Sequence, residues 1–218
     1  VGCHACVVAC KGWNTQGYGA PLSDQDPYGE SPSGTFLNRV HSFEVKPAEA
    51  PAQLVHFPKS CLHCDDAPCV TVCPTGATFK REDGIVLIDN QRCIGCKFCI
   101  TSCPYSARIF NWGHKDKFDS ETAYSPETSV PASEGTIMKC DFCPDMARKG
   151  ELPACVTACP NGVIYYGDEL EDSVSNGSRT VRLSELLRDR SGYRLMEEFG
   201  TKPRVYIHEL LRKINWLP

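Results

Sequence analysis

No stretch of this 218-residue chain approaches eighteen uninterrupted apolar residues, so nothing in it reads as a membrane span. A Ser-His-Asp set, a P-loop and a Gly-x-Gly-x-x-Gly turn are all missing, and the carboxylates show no pairing legible from spacing. Bond-making catalysis therefore has no motif to stand on. Positive charge is not in excess either: the formal net charge is −4, which argues against a nucleic-acid surface. No signal peptide is visible, and a chain that starts at Val1 rather than Met leaves a removed leader open. Otherwise the composition, 41% hydrophobic and 23% charged, is that of a globular protein of one or two domains.

Cysteine is what the chain has in abundance. All fifteen fall in four tight groups: Cys3, Cys6, Cys10; Cys61, Cys64, Cys69, Cys73; Cys93, Cys96, Cys99, Cys103; and Cys140, Cys143, Cys155, Cys159. A disulfide scaffold fits poorly, because the count is odd and neighbours two or three residues apart bring thiols together locally instead of stapling distant loops. Structural zinc would use Cys-x-x-Cys pairs, but it does not account for runs of four ended by proline.

From Cys61 to Pro104 the chain reads C-L-H-C-D-D-A-P-C-V-T-V-C-P, then hairpin-like sequence, then C-I-G-C-K-F-C-I-T-S-C-P. Two such quartets spell a two-cluster ferredoxin, in which three cysteines of a run hold one iron–sulfur cluster and the fourth crosses over to the other. The rule groups Cys61, Cys64 and Cys69 with Cys103, and Cys93, Cys96 and Cys99 with Cys73. The outer runs group likewise: Cys140, Cys143 and Cys155 with Cys10, and Cys3 and Cys6 with Cys159 and a cysteine expected one residue before Val1. Four [4Fe-4S] clusters follow, with all fifteen cysteines as metal ligands. A chain that opens inside a metal motif points to truncation; if the missing cysteine is genuinely absent, the Cys3/Cys6/Cys159 site holds a [3Fe-4S] cluster. Loading four cubanes would take the net charge to about −12.

The expected fold is α+β, a doubled two-cluster ferredoxin-like fold of two bacterial-type units in pseudo-twofold relation, with long loop insertions. An inner unit spans 58–112, and an outer, discontinuous unit takes 1–11 with 137–167. Residues 12–57 and 113–136 read as loop insertions, rich in turn formers such as Pro21 to Gly29. Partial alternation over Phe36 to Val45 and Leu54 to Phe57 suggests two strands in the first of them. Arg81-Glu82-Asp83-Gly84 between β-prone segments predicts a hairpin, Val70 to Val72 and Ile100 to Ser102 predict helical turns, and Ala107 to Trp112 predicts a strand. Met146 to Gly150 reads as a turn of helix, and Gly162 to Gly167 as a strand repeating the one after the inner runs.

Residues 168–218 form a tail for packing or docking. In it Leu183, Leu186 and Leu187 lie on a helix with Ser178 as a possible cap, Lys202 to Ile207 is extended, and Leu210, Leu211, Ile214 and Leu217 share an apolar face. Trp13 and Trp112 read as core. His4 and His63, inside cysteine loops, read as locally satisfied, with hydrogen bonding to a cluster as the functional alternative.

The order of the four groups, the 2-4-3 spacing at Cys61 to Cys73, the 2-11-3 spacing at Cys140 to Cys159 and the wording around them carry a resemblance. F-P-K-S-C-L-H-C-D-D-A-P-C, C-P-T-G-A-T, D-P-Y-G-E-S-P-S-G-T-F-L-N-R-V and G-T-K-P-R-V-Y are similar to the iron–sulfur β-subunits of the dimethyl-sulfoxide-reductase superfamily, above all those of sulfite dehydrogenase and polysulfide reductase type. The resemblance implies a subunit that makes and breaks no substrate bonds itself. It would relay electrons between a molybdopterin catalytic subunit and an integral-membrane quinone-reactive subunit, and associate peripherally with the membrane through a partner. No nucleic acid and no direct small-molecule substrate are implied. The Cys3/Cys6/Cys159 cluster would lie nearest the catalytic subunit and the Cys73/Cys93/Cys96/Cys99 cluster nearest the quinone. Some relatives have lost a cysteine from the third run; Cys96 is present here, which argues for a full cubane. The same wire would also serve a hydrogenase, a formate dehydrogenase or a quinol-oxidising alternative complex III.

Overall fold

The computed structural model describes residues 2–15, 36–46, 51–112 and 133–208. Among them, short helices alternate with small antiparallel sheets of two or three strands, a mixed α and β architecture. Helix α1 (Ala5–Thr15) carries Cys6 and Cys10 one turn apart on one face. It runs on past Lys11, where a loop was expected, because the first cysteine run has no proline after its last cysteine. Asn14 closes the turn, its Nδ2 donating to the Cys10 carbonyl at 2.9 Å and to the Cys10 Sγ at 3.4 Å.

β1 (Arg39–Val45) and β2 (Gln53–Lys59) then pair over seven residues, Arg39 opposite Lys59 and Val45 opposite Gln53. Both strands expected here are present, the first starting three residues after Phe36 and the second extended past both Leu54 and Phe57, so part of the segment read as a loop insertion is a ladder. Phe36 and Val40 pack on Cys6 and Val7, and Leu37 on Cys10 and Met138, which ties this hairpin to the outer cysteines.

The inner cysteine runs fold as anticipated, with shifted bounds. α2 (Pro68–Thr71) and α3 (Phe98–Thr101) are single turns that start two residues ahead of Val70 and Ile100. Pro68 suits the first turn, where its missing N–H leaves nothing unpaired. β3 (Thr78–Lys80) and β4 (Val86–Ile88) form the hairpin, closed at Gly84 with φ of +85° and its N–H on the Arg81 carbonyl at 2.9 Å. All three β4 side chains are buried.

β5 (Ile109–Phe110) is only two residues of the expected Ala107–Trp112 strand, and its partner is β6 (Ile137–Met138), not the hairpin before it. Neither Trp13 nor Trp112 is core: they are 40% and 57% exposed. Trp112 stands edge-on to Phe110 at 4.5 Å, and the Lys97 ammonium caps both rings at 4.0 and 4.2 Å.

α4 (Pro144–Arg148) and α5 (Ala154–Thr157) frame the fourth cysteine group, and α5 packs on α1. The strand expected over 162–167 begins only at β7 (Tyr166–Asp168) and turns into the tail, where it joins β8 (Ser173–Ser175) and β9 (Thr180–Arg182). Asn176 pulls it that way, its Nδ2 donating to the Gly162 carbonyl at 2.6 Å. Helix α6 (Leu183–Asp189) carries the three leucines, but Ser178 does not cap it. Asp172 does that work, accepting from the Ser184 N–H at 2.7 Å and its hydroxyl at 2.6 Å, while Ser178 bonds Asn176.

β10 (Tyr193–Arg194) pairs with β11 (Tyr206–Ile207). Between them Thr201 to Arg204 lies along the first inner cysteine loop: the Asp65, Asp66 and Arg204 amides exchange hydrogen bonds of 2.9–3.1 Å with Lys202, Thr201 and Leu62. Leu210, Leu211, Ile214 and Leu217, and the Pro21 to Gly29 turns, lie outside the described residues.

Candidate iron–sulfur centres

Each Cys-x-x-Cys loop has the same backbone kink. The residue just before the second cysteine is left-handed in three runs, His63 (φ +44°), Gly95 (+68°) and Phe142 (+65°), and Gly2 (+64°) stands the same way just before Cys3. A left-handed residue turns successive amides toward one side, which suits them to a sulfide-bearing anion. The chain turns back after the last cysteine in the same way three times. Gly76, Ser106 and Gly162, all at positive φ, donate to the carbonyls of Cys73, Cys103 and Cys159 at 3.1–3.3 Å.

Gly95 is the most demanding of these positions, since a Cβ there would lie 2.1 Å from the Gly135 carbonyl oxygen. Gly95→Ala is expected to lower thermal stability by roughly 1–3 kcal/mol through backbone strain alone. Differential scanning calorimetry checks it, and an unchanged melting point would contradict the tight approach.

The two inner quartets each surround a cavity. Cys61, Cys64, Cys69 and Cys103 line one, together with Leu62, Val86, Tyr105 and Arg108. Cys73, Cys93, Cys96 and Cys99 line the other, with Thr75, Thr78, Lys97 and Ile137. Each cavity thus takes three cysteines from one run and the last cysteine of the other. Burial pushes the Cys64 thiol up to about 11 against a Thr201 hydrogen bond, with Cys61, Cys69 and Cys103 adding to the rise. At Cys73 burial works the same way but is outweighed by the Thr78, Thr75 and Ala77 groups that point at the sulfur, so this thiol is held below its ordinary value.

The outer cysteines gather through α1 and α5. Burial, then Cys155 and Cys143, raise Cys10 well above the usual thiol value; burial and Cys10 do the same to Cys140. Cys143 is pushed up to about 12 by burial and by Asp141, whose own buried carboxyl is raised to about 6. Cys10 therefore neighbours Cys140, Cys143 and Cys155. Cys6 feels Cys159 and Cys3, the three remaining sulfurs. Cys155 also feels Cys6, so the two outer groups adjoin. Cys3 and Cys96 are the exposed members.

The largest buried apolar cluster includes Cys61, Cys64, Cys69 and Cys99 beside Leu62, Val86, Ile88 and Ile137, so the thiols are themselves core. Polar side chains are buried among them as well, His63, Lys139 and Arg108 included. His63 stacks on Phe142 with ring centroids 3.7 Å apart, joining the equivalent kinks of an inner and an outer loop. Its Nδ1 accepts from the Val86 N–H at 3.1 Å, and Nε2 lies buried toward Cys140 without a well-formed hydrogen bond. Burial, with Lys139 next, holds this imidazole neutral. Lys139 donates to the carbonyls of Val86 and Cys140. Arg108 is 1% exposed and donates to Cys69 Sγ. Sequence reading passed over Lys139 and Arg108; the usable signal was a charged residue set inside an apolar strand pattern, A-R-I-F-N-W.

A cubane needs soft thiolates around a core with amides turned inward. The all-sulfur linings and the repeated left-handed kinks fit that demand. Among the described residues no three His, Cys, Asp or Glu side chains converge as one bare ion would require. Thiolates on the separate irons of a core stand farther apart than those sharing one ion at about 2.3 Å.

Comparison with known proteins agrees with this geometry. One 4Fe-4S dicluster domain family matches residues 52–132 and 126–169, and a second 4Fe-4S dicluster family matches residues 1–77. A sulfite dehydrogenase subunit of Allochromatium vinosum is 44% identical over 210 residues, covering 93% of this chain and 76% of that one. A selenate reductase subunit of Mesobacillus selenatarsenatis is 36% identical, covering 94% and 67% respectively. A tetrathionate reductase subunit of Salmonella typhimurium is 34% identical with the same coverages.

Proposed function

This chain belongs to the family of 4Fe-4S dicluster iron–sulfur subunits that carry electrons in molybdopterin oxidoreductases, and from that premise we propose that it is a four-cluster wire between a molybdopterin catalytic subunit and a membrane quinone-reactive subunit. The observation that carries the reading is the composition of the two inner cavities, each ringed by three cysteines of one run and the crossing cysteine of the other.

The four sites are Cys3, Cys6 and Cys159; Cys10, Cys140, Cys143 and Cys155; Cys61, Cys64, Cys69 and Cys103; and Cys73, Cys93, Cys96 and Cys99. The shared kink of the four loops supports two ferredoxin-like units in pseudo-twofold relation, an inner one over 58–112 and an outer one from 1–11 with 137–167. The adjacency of Cys6 and Cys155, and the stack of His63 on Phe142, support a continuous order of sites from the chain start to the exposed Cys96. The clusters supply one-electron storage; the protein's part is to hold them by thiolates, surround them with amides and keep water from most of them. No helix among the described residues is long and apolar enough to cross a membrane; on this reading, association with one runs through a partner.

Iron and acid-labile sulfide analysis of the anaerobically purified full chain tests the count. About sixteen irons are expected for four cubanes, about fifteen if the Cys3 site is a [3Fe-4S] centre. Fewer than about twelve would end the four-cluster reading. Co-purification with a molybdopterin-containing chain tests the partner.

A further inference from the structure

A buried arginine needs a reason. Transferring a lone cation out of water costs several kcal/mol, which ordinarily a carboxylate offsets. Arg108 is 1% exposed, yet its partners are sulfur and a hydroxyl: one guanidinium nitrogen donates to Cys69 Sγ at 2.9 Å and the other to Thr78 Oγ1 at 3.1 Å. The charges that favour its cationic form belong to Cys69, Cys99 and Cys61. Cys69 and Cys61 line one inner cavity and Cys99 the other, so this cation lies between the two. Thr78 completes the link. Its backbone N–H reaches Cys73 Sγ at 3.3 Å, so a chain of contacts runs from Cys69 through Arg108 and Thr78 to Cys73.

We propose that Arg108 is a shared tuning residue, a permanent positive charge between the two inner clusters that raises the reduction potentials of both and leaves the outer two untouched. The inference rests on the ligand sets proposed above. Reduction adds an electron, hence a negative charge, to a cluster; a fixed cation in a low-dielectric interior stabilises the reduced form more than the oxidised one. A guanidinium keeps its proton throughout the working pH range, so the effect does not fade with pH as a lysine's or histidine's would. Its planar fork also meets acceptors on two sides, which a point charge cannot do.

Redox titration of the full chain followed by electron paramagnetic resonance, with iron analysis alongside, decides the matter. In Arg108→Gln the ratio of reduced to oxidised form at a fixed potential is expected to fall at least tenfold, 59 mV for a one-electron couple, at the two inner clusters. The outer two should stay within twofold. Unchanged inner ratios in a fully loaded variant, or an equal fall at all four clusters, overturn the proposal. Should Arg108→Gln not retain its iron, Arg108→Lys is read in the same way. Lysine keeps the charge but cannot hold Cys69 Sγ and Thr78 Oγ1 together, so at least one inner ratio falls, by less than tenfold; no change in either overturns the proposal. If the wild-type chain itself shows no inner cluster signals, the ligand assignment has failed and not the role of Arg108.

Discussion

A chain carrying Cys103→Ala is expected to lose the cluster of Cys61, Cys64 and Cys69 and to keep the one beside its own run. Cys103 ends the run that starts at Cys93, but its side chain lines the cavity of the earlier run. Cys73→Ala should do the reverse, emptying the site of Cys93, Cys96 and Cys99, whose cavity Cys73 completes. Alanine is the right replacement, because a serine oxygen could still ligate. Either variant should lose about four irons per chain. The decisive reading is which resonance disappears: Cys103→Ala should match Cys61→Ala, and Cys73→Ala should match Cys93→Ala. If Cys103→Ala instead matched Cys93→Ala, each run would be binding its own cluster and the crossover would be wrong.

Stripping the iron is expected to unfold the chain, and more completely the higher the pH. The largest core cluster is built partly of Cys61, Cys64, Cys69 and Cys99, which face two cavities. Ligand binding at sites that the unfolded chain does not preform is itself folding free energy, set against a total stability of about 5–15 kcal/mol. The pH sense follows from the thiols. Burial raises Cys64 and Cys155 from 9.0 to about 11 and Cys143 to about 12 in the folded, metal-free chain. Below pH 9 both folded and unfolded chains keep these protons. From there to the folded values the unfolded chain has released protons that the folded chain still binds, so the fold loses stability as pH rises through that window. The loss is about 1.4 kcal/mol per thiol for each pH interval of one. In the loaded protein the ligands have already given up their protons, so the same window should be silent. Circular dichroism of chelator-stripped and loaded chains at pH 7, 9 and 11 checks both statements. An iron-free chain as folded at pH 11 as at pH 7 would contradict them.

Much of the local structure was legible in the residues alone. Cys-x-x-Cys loops, the Asp83-Gly84 hairpin and the turns before Cys73 and Cys103 depend on residues within a few positions of one another, and short-range chemistry decides them. Where reading failed, the deciding contact came from far along the chain. Ala107 to Trp112 was expected to join a sheet beside the inner runs, but β5 found its partner beyond residue 132. The strand after Cys159 was expected to repeat its inner counterparts, but Asn176 drew it into the tail. Trp13 and Trp112 read as core by composition and are exposed, because cysteines and β4 already fill the interior.

The same division runs through the candidate centres. By itself the sequence determined that the chain is an iron–sulfur protein without a catalytic motif, because most donors of each proposed site stand close together along the chain. Only the tertiary structure decided what surrounds those donors. It set Arg108 between the inner cavities, His63 against Phe142, Lys139 on the Val86 and Cys140 carbonyls, and the Thr201 to Arg204 strap along the Cys61 loop. These groups come together across tens of residues of chain, and no spacing rule encodes such meetings. Donor identity is a property of the sequence; the electrostatic setting of the donors is a property of the fold.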